Sequence, residues 1–163
     1  MTRLEGWRRA LVVAGAVVLL DQITKALIVA NRALGERESI FIGIDLNYVR
    51  NSGVAFGALS GGGVLLWVLV ALAIGGLVAY FALRAGERWL WLPVGAIVGG
   101  AIGNLADRAR DGAVIDFIDP VAWPAFNLAD IAVVVGILGF VYVAEGRDEK
   151  TEDRRQKTEA EAS

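Results

Sequence analysis

Between Val64 and Leu83 the chain runs for 20 residues without a charged side chain. About 20 apolar residues is the length of a helix that crosses a bilayer, and in hydrocarbon only a helix or a closed barrel satisfies its own backbone. Three further stretches share this character: about Ala10 to Ala30, interrupted by Asp21 and Lys25; Trp89 to Ala106, with no charge; and Asn127 to Ala144, with Asp130 alone. Apolar residues make up 56% of the chain, above the share in an ordinary soluble domain. The expected architecture is an all-α membrane protein with four transmembrane helices, over about 10–30, 64–83, 89–106 and 127–144. They form one membrane domain, 1–144, and the charged tail 145–163 is expected to be disordered beyond a turn or two of helix. Arginines followed by the apolar run Ala10 to Leu20 imitate a signal peptide. Apolar character resumes after Lys25 without a small-residue cleavage site, so the segment reads as a retained span.

Orientation follows from the basic residues. Arg3, Arg8 and Arg9 precede the first span, Arg84 and Arg88 lie between the second and third, and Arg147, Lys150, Arg154, Arg155 and Lys157 follow the fourth. The positive-inside rule makes these three regions, and both termini, cytoplasmic. The long loops 31–63 and 107–126 then face outward, in a multi-pass membrane protein. Ser39 to Val49 is rich in β-branched and aromatic residues, so a small β-sheet is expected on the outer membrane surface, with a short flap-like segment after Asn31.

Composition narrows the chemistry. A net charge of -2 does not suggest nucleic acid as a partner. Without cysteine or histidine there is no disulfide framework, no thiol nucleophile and no common zinc ligand set, so neither metal nor cofactor is expected. Carboxylates remain: Asp116 in Val114-Ile-Asp-Phe-Ile118 and Asp130 in Phe126-Asn-Leu-Ala-Asp130. A carboxylate at the edge of hydrocarbon is costly unless paired or wet, which makes each a candidate site residue.

Each polar cluster also has a plain structural reading. Asp21 and Lys25 in Asp21-Gln-Ile-Thr-Lys25 are four apart and can pair on one helix face. Asn51-Ser-Gly-Val-Ala-Phe56 suits a tight turn. In Gly99-Gly-Ala-Ile-Gly-Asn-Leu-Ala-Asp-Arg108, glycines 95, 99 and 103 form a stripe for close helix packing, and Asn104 and Arg108 share a face that could hold a carbonyl, phosphate or carboxylate. Asn127 could N-cap the last helix with Asp130 in its first turn, and Asp116 could be one loop acid among Asp107, Asp111 and Asp119. All five clusters, however, fall at the outward ends of the spans or in the outer loops, which points to one shared site.

In this order the five clusters resemble the lipoprotein signal peptidases (signal peptidase II), the bacterial membrane aspartyl proteases. The resemblance covers about Ala10 to Ala144; the stretch Phe117 to Ala129 is compact for the family, and the tail lies outside it. It implies that Asp116 and Asp130 are the catalytic pair and that Asp21, Lys25, Asn51, Gly53, Asn104, Arg108 and Asn127 line or support the site. It also implies a diacylglyceryl-modified prolipoprotein substrate, cut just before the lipidated cysteine, handled by a monomer among membrane lipids. Two other readings of the residues stay open: a serine–lysine protease using Ser52 and Lys25, and a small transporter or proton relay using intramembrane carboxylates.

Overall fold

The computed structural model describes residues 1–53 and 62–162, and the side chains of all of these except 62–67 and 147–162. Four helices carry the chain: α1 (Arg3–Asn31), α2 (Gly62–Arg84), α3 (Trp91–Asp111) and α4 (Leu128–Ala162). Three strands, β1 (Arg37–Phe41), β2 (Ile44–Asn51) and β3 (Val114–Pro120), form an antiparallel sheet in the order β1-β2-β3. α1 and the Leu128–Gly146 part of α4 are each long and apolar enough to cross a membrane, while Val68–Arg84 is a shorter apolar helix among the described residues.

Helix boundaries differ from the expected spans where polar sequence can still be helical. α1 starts seven residues early, because Thr2 and Glu5 form a capping box at its first turn. α3 continues past Ala106 to Asp111 and ends on Gly112 in the left-handed conformation, so Asp107 and Arg108 are helical residues and not part of a loop. In the tail, α4 runs on to Ala162, past the turn or two of helix expected there. Residues 147–162 contain neither glycine nor proline and are rich in Glu, Lys, Arg and Ala, all good helix formers.

α3 is the central helix, and glycine lets its neighbours close on it. A Cβ at Gly95 would lie 2.6 Å from the Ala10 carbonyl oxygen, and one at Gly99 would lie 2.7 Å from that of Ala14, both on α1. On the α4 side, a Cβ at Gly100 would lie 2.4 Å from the Ala129 carbonyl oxygen. The stripe therefore serves helix packing. Larger apolar side chains point away from this seam: Leu11, Val12, Val135 and Leu138 are exposed, the distribution that lipid-facing helices require. Phe81, Ala85 and Leu90 pack with Ala10 and Val94 in an apolar cluster, and the Trp7 ring meets Phe81 edge-on at 4.9 Å.

The sheet grows from the opposite end of the bundle. β1 and β2 form a hairpin through Ile42 and Gly43, whose φ of 79° suits glycine. β2 then pairs with β3 from Ile44↔Pro120 to Asn51↔Val114, with a register shift between Leu46 and Val49. The hairpin lies where short strands are expected, but β3 falls in a stretch expected to be loop. Its sequence, Val-Ile-Asp-Phe-Ile, has the composition of a strand.

Replacing Gly100 with valine should cost about 1–3 kcal/mol by overpacking against α4. Gly15, where an added Cβ would meet no atom within 4 Å, should accept alanine without loss. Thermal unfolding of the purified variants in detergent distinguishes the two positions.

Candidate active site

The two aspartates reach one another from different elements. Asp116 is the third residue of β3 and is buried to 2% exposure. Asp130 sits in the first turn of α4. Between them stands Asn127, fully buried, whose side-chain Nδ2 donates to Asp116 Oδ1 (2.8 Å) and whose backbone N–H donates to Asp130 Oδ2 (3.1 Å). Asn127 Oδ1 in turn accepts from the Asp130 N–H (3.0 Å), closing a reciprocal helix cap. The capping reading of these residues and the site reading thus hold together: the cap itself sets the two carboxyls on one bridge.

Each carboxyl has a second amide donor. Asn51, at the end of β2, donates from Nδ2 to Asp116 Oδ2 (2.9 Å), and Asn104 on α3 donates from Nδ2 to Asp130 Oδ1 (2.8 Å). The amide of Asn51 is oriented by Gly53, whose N–H donates to Asn51 Oδ1 (3.0 Å); Gly53 adopts φ 78°, a conformation that a side chain would strain. The remainder of that cluster, Val54 to Phe56, lies outside the described residues, as does part of the expected outer loop 31–63.

Beneath the pair lies a buried charge cluster. Lys25 Nζ, 1% exposed, is 2.8 Å from Asp21 Oδ2 and 2.7 Å from Asp107 Oδ2, and it donates to Asn104 Oδ1 (3.1 Å). An ammonium has three donors and no acceptor, so all three hydrogens are engaged. The Asn104 carbonyl must therefore face Lys25, which turns its NH₂ toward Asp130. The two acids reach further. Asp21 Oδ1 accepts from the Ala129 N–H at the start of α4 (3.0 Å), and Asp107 Oδ2 accepts from the Ile115 N–H beside Asp116 (3.2 Å). Gly103 leaves room for this pair, since a Cβ there would sit 2.6 Å from Asp21 Oδ2.

Lys25 therefore has no hydrogen left for Ser52, which is exposed, and the geometry gives no support to a serine–lysine arrangement. Arg108 is half-buried, and its side chain's hydrogen bond among the described residues goes to the Asn104 backbone carbonyl (3.4 Å), not to either carboxylate. Two members of the network, Asp107 and Gln22, are not among the residues that the sequence singles out. Asp107 is expected there as a loop acid, yet it is fully buried, and Gln22 Nε2 donates to its Oδ1 (2.9 Å). Both lie inside the quoted clusters, and the spacing of Asn104 and Asp107 on one helix is the available signal.

Burial raises Asp116 from the ordinary 3.8 to about 6, opposed by the Asn51 hydrogen bond, reinforced by the nearby Asp130 charge, and opposed again by Asn127 and Lys25. Two carboxyls in one site, one of them inclined to hold a proton near neutrality, are the elements of an aspartic hydrolase. Among the described residues no cluster of acids could hold a metal ion.

Comparison with known proteins agrees. The family model for signal peptidase (SPase) II matches residues 13–144. This chain belongs to the signal peptidase II family. It is similar to the lipoprotein signal peptidase of Syntrophomonas wolfei subsp. wolfei, with 42% identity over 137 residues, 82% of this chain and 92% of that protein. The corresponding protein of Pelotomaculum thermopropionicum is 36% identical and covers 90% of this chain and 97% of its own length. A solved bacterial membrane enzyme superposes with a TM-score of 0.74 at 27% identity, covering 83% of this chain and 91% of its own. The chain is accordingly a membrane-embedded protease, and nothing favours the transporter reading.

Three outcomes follow from this geometry. Lys25→Met strands two buried carboxylates and should destabilise the protein by about 3–5 kcal/mol, measured by denaturation in detergent. Because Asp116 is raised, its folded form binds the extra proton between pH 3.8 and about 6, so its contribution to stability falls as pH rises through that window. Asn51→Leu removes a hydrogen bond that favours the ionised form. It should move the Asp116 titration upward, followed by infrared absorption of the protonated carboxyl.

Proposed function

We propose that this chain removes the signal peptide of diacylglyceryl-modified prolipoproteins, cutting just before the lipidated cysteine, with Asp116 and Asp130 as the catalytic residues. The observation that carries the assignment is the Asn127 bridge, which holds both carboxyls on one side chain and its own backbone N–H. One carboxylate takes a proton from water as the water oxygen bonds to the scissile carbonyl carbon. The other, protonated, donates a hydrogen bond to the carbonyl oxygen. Collapse of the tetrahedral intermediate breaks the C–N bond, and a proton passes from the pair to the leaving amine. The products are the signal peptide's new carboxylate and the lipoprotein's new N-terminal amine. The raised Asp116 keeps a proton available towards neutral pH.

Four spans with cytoplasmic termini accord with the basic residues at one end of the bundle, and they put the sheet and the pair at the outer face. A site at that level suits a substrate whose signal helix and acyl chains already occupy the bilayer. Asp21, Lys25, Asn104 and Asn127 position the carboxyls, Asn51 and Gly53 hold Asp116 from the end of β2, and Arg108, half-buried and bonded to the Asn104 backbone carbonyl, is the candidate to hold a substrate carbonyl. The loop after Asn31 is the candidate flap, and a single chain supplies every one of these groups.

Asp116→Asn and Asp130→Asn should each lower turnover of a diacylglyceryl-modified precursor by at least about 10²–10⁴-fold while the protein stays folded. Wild-type cleavage by either variant would sink the assignment. Arg108→Ala should raise KM more than it lowers kcat in the same assay.

A further inference from the structure

The end of the bundle away from the aspartates carries a second built feature. α1 and the start of α3 enclose a groove of about 510 Å³ lined by Glu5, Arg8, Arg9, Val12, Val13 and Trp91. It is zoned by depth, since Val12 and Val13 lie one helical turn, about 5–6 Å, below Arg8 and Arg9. The Arg9 guanidinium lies over the Trp91 ring, 5.5 Å from its centroid. Trp91 stacks on Trp89 at 6.2 Å and 26°, and Arg88 lies over Trp89 at 5.9 Å. Arginine, tryptophan, tryptophan and arginine thus form one continuous line of contacts along the membrane face of this end.

Three observations indicate a ligand there. Trp89 joins the line with φ 72°, the one positive φ of a non-glycine residue among those described, although its side chain is 54% exposed. A bulky residue held in that region is strained, and such strain concentrates at ligand clamps. Next, positive charge is in excess: the groove holds two arginines against one acid, Glu5, which accepts from the Thr2 N–H (3.0 Å) and offsets part of the Arg9 charge, and neither Arg8 nor Arg9 comes within ion-pair distance of an acid among the described residues. The start of α3 adds to it, having no acidic residue in its first turn and no side-chain cap. Lastly, the floor is apolar and open, with Val12 71% exposed. A soluble anion would leave that floor in contact with water, whereas a molecule with both a phosphate and an acyl chain matches both levels.

We propose that this groove binds an anionic phospholipid, its phosphate between Arg8 and Arg9 and one acyl chain along Val12 and Val13. Trp91 and Trp89 mark the headgroup level, where tryptophan is favoured. Placing the lipid in the cytoplasmic leaflet rests on the topology proposed above, and anionic lipid in that leaflet attracts basic segments. The bound lipid would brace the α1–α3 seam at the end opposite the aspartates, because Gly95, next to this groove, is where α3 closes on Ala10 and Val13.

The test is native mass spectrometry of the full chain released from detergent with equal amounts of phosphatidylglycerol and phosphatidylcholine. Wild type should retain several-fold more phosphatidylglycerol, and R8Q/R9Q should bring the ratio near one. V12W keeps both arginines but fills the floor and should also lose the preference, whereas diffuse charge attraction would be unaffected by it. D130N should keep the wild-type ratio, because the groove is independent of catalysis. Equal retention of the two lipids by wild type, or an unchanged ratio in both groove variants, overturns the site. Sidedness is read separately: in this cysteine-free chain, L4C should be protected from an impermeant thiol reagent in whole cells, and labelling from outside overturns the leaflet assignment without touching the adduct ratios.

Discussion

Lys25 holds the site together. Its ammonium, all but sealed from solvent, is shared among Asp21, Asp107 and Asn104, and each of those residues is tied to a different part of the molecule. Asp21 grips the first turn of α4, Asp107 grips the start of β3, and Asn104 faces Asp130. One charge on α1 thus sets where both aspartates stand. A buried ion pair contributes little net stability when weighed against apolar packing, and its value lies in specifying one arrangement. Here it specifies the orientation of the Asn104 amide and the register at which β3 leaves α3.

The glycines make that network possible. Without Gly103 the Asp21 carboxylate could not lie against α3, and without Gly95, Gly99 and Gly100 neither α1 nor α4 could approach the central helix closely enough for side chains as short as aspartate and asparagine to meet. Between lipid-facing helices there is little hydrophobic drive to associate, so close backbone contact and interhelical hydrogen bonds have to supply the association. The same residues therefore bear on packing and on the proposed catalytic pair, and the plain structural readings of the five polar clusters are compatible with the functional one.

Much of this is legible in the chain. Long uncharged runs announce the helices, and strand-forming residues after Asn31 announce the hairpin. The polar clusters name most of the residues that converge around Asp116 and Asp130. Asp107 escapes notice because a short acid beside Arg108 and Asp111 looks like a solvated loop acid, and its burial depends on Lys25 arriving from 82 residues away. β3 escapes for a similar reason: five residues of strand composition pair only if β2 is folded back beside them. In the tail, high charge and good helix propensity coexist, and it is propensity that prevails in α4.

The sequence alone establishes that the chain is apolar enough for a membrane, leaves carboxylates as the candidates for its chemistry, and marks the short motifs proposed to carry it. Those properties are local: hydropathy, residue inventory and i, i+4 spacing are set by neighbours along the chain. Tertiary structure decided that Asn127 bridges the two aspartates, that Lys25 turns the Asn104 amide toward one of them, and that burial raises the other to about 6. Each of these depends on distance and desolvation between residues far apart in the chain, which only the packed fold brings together.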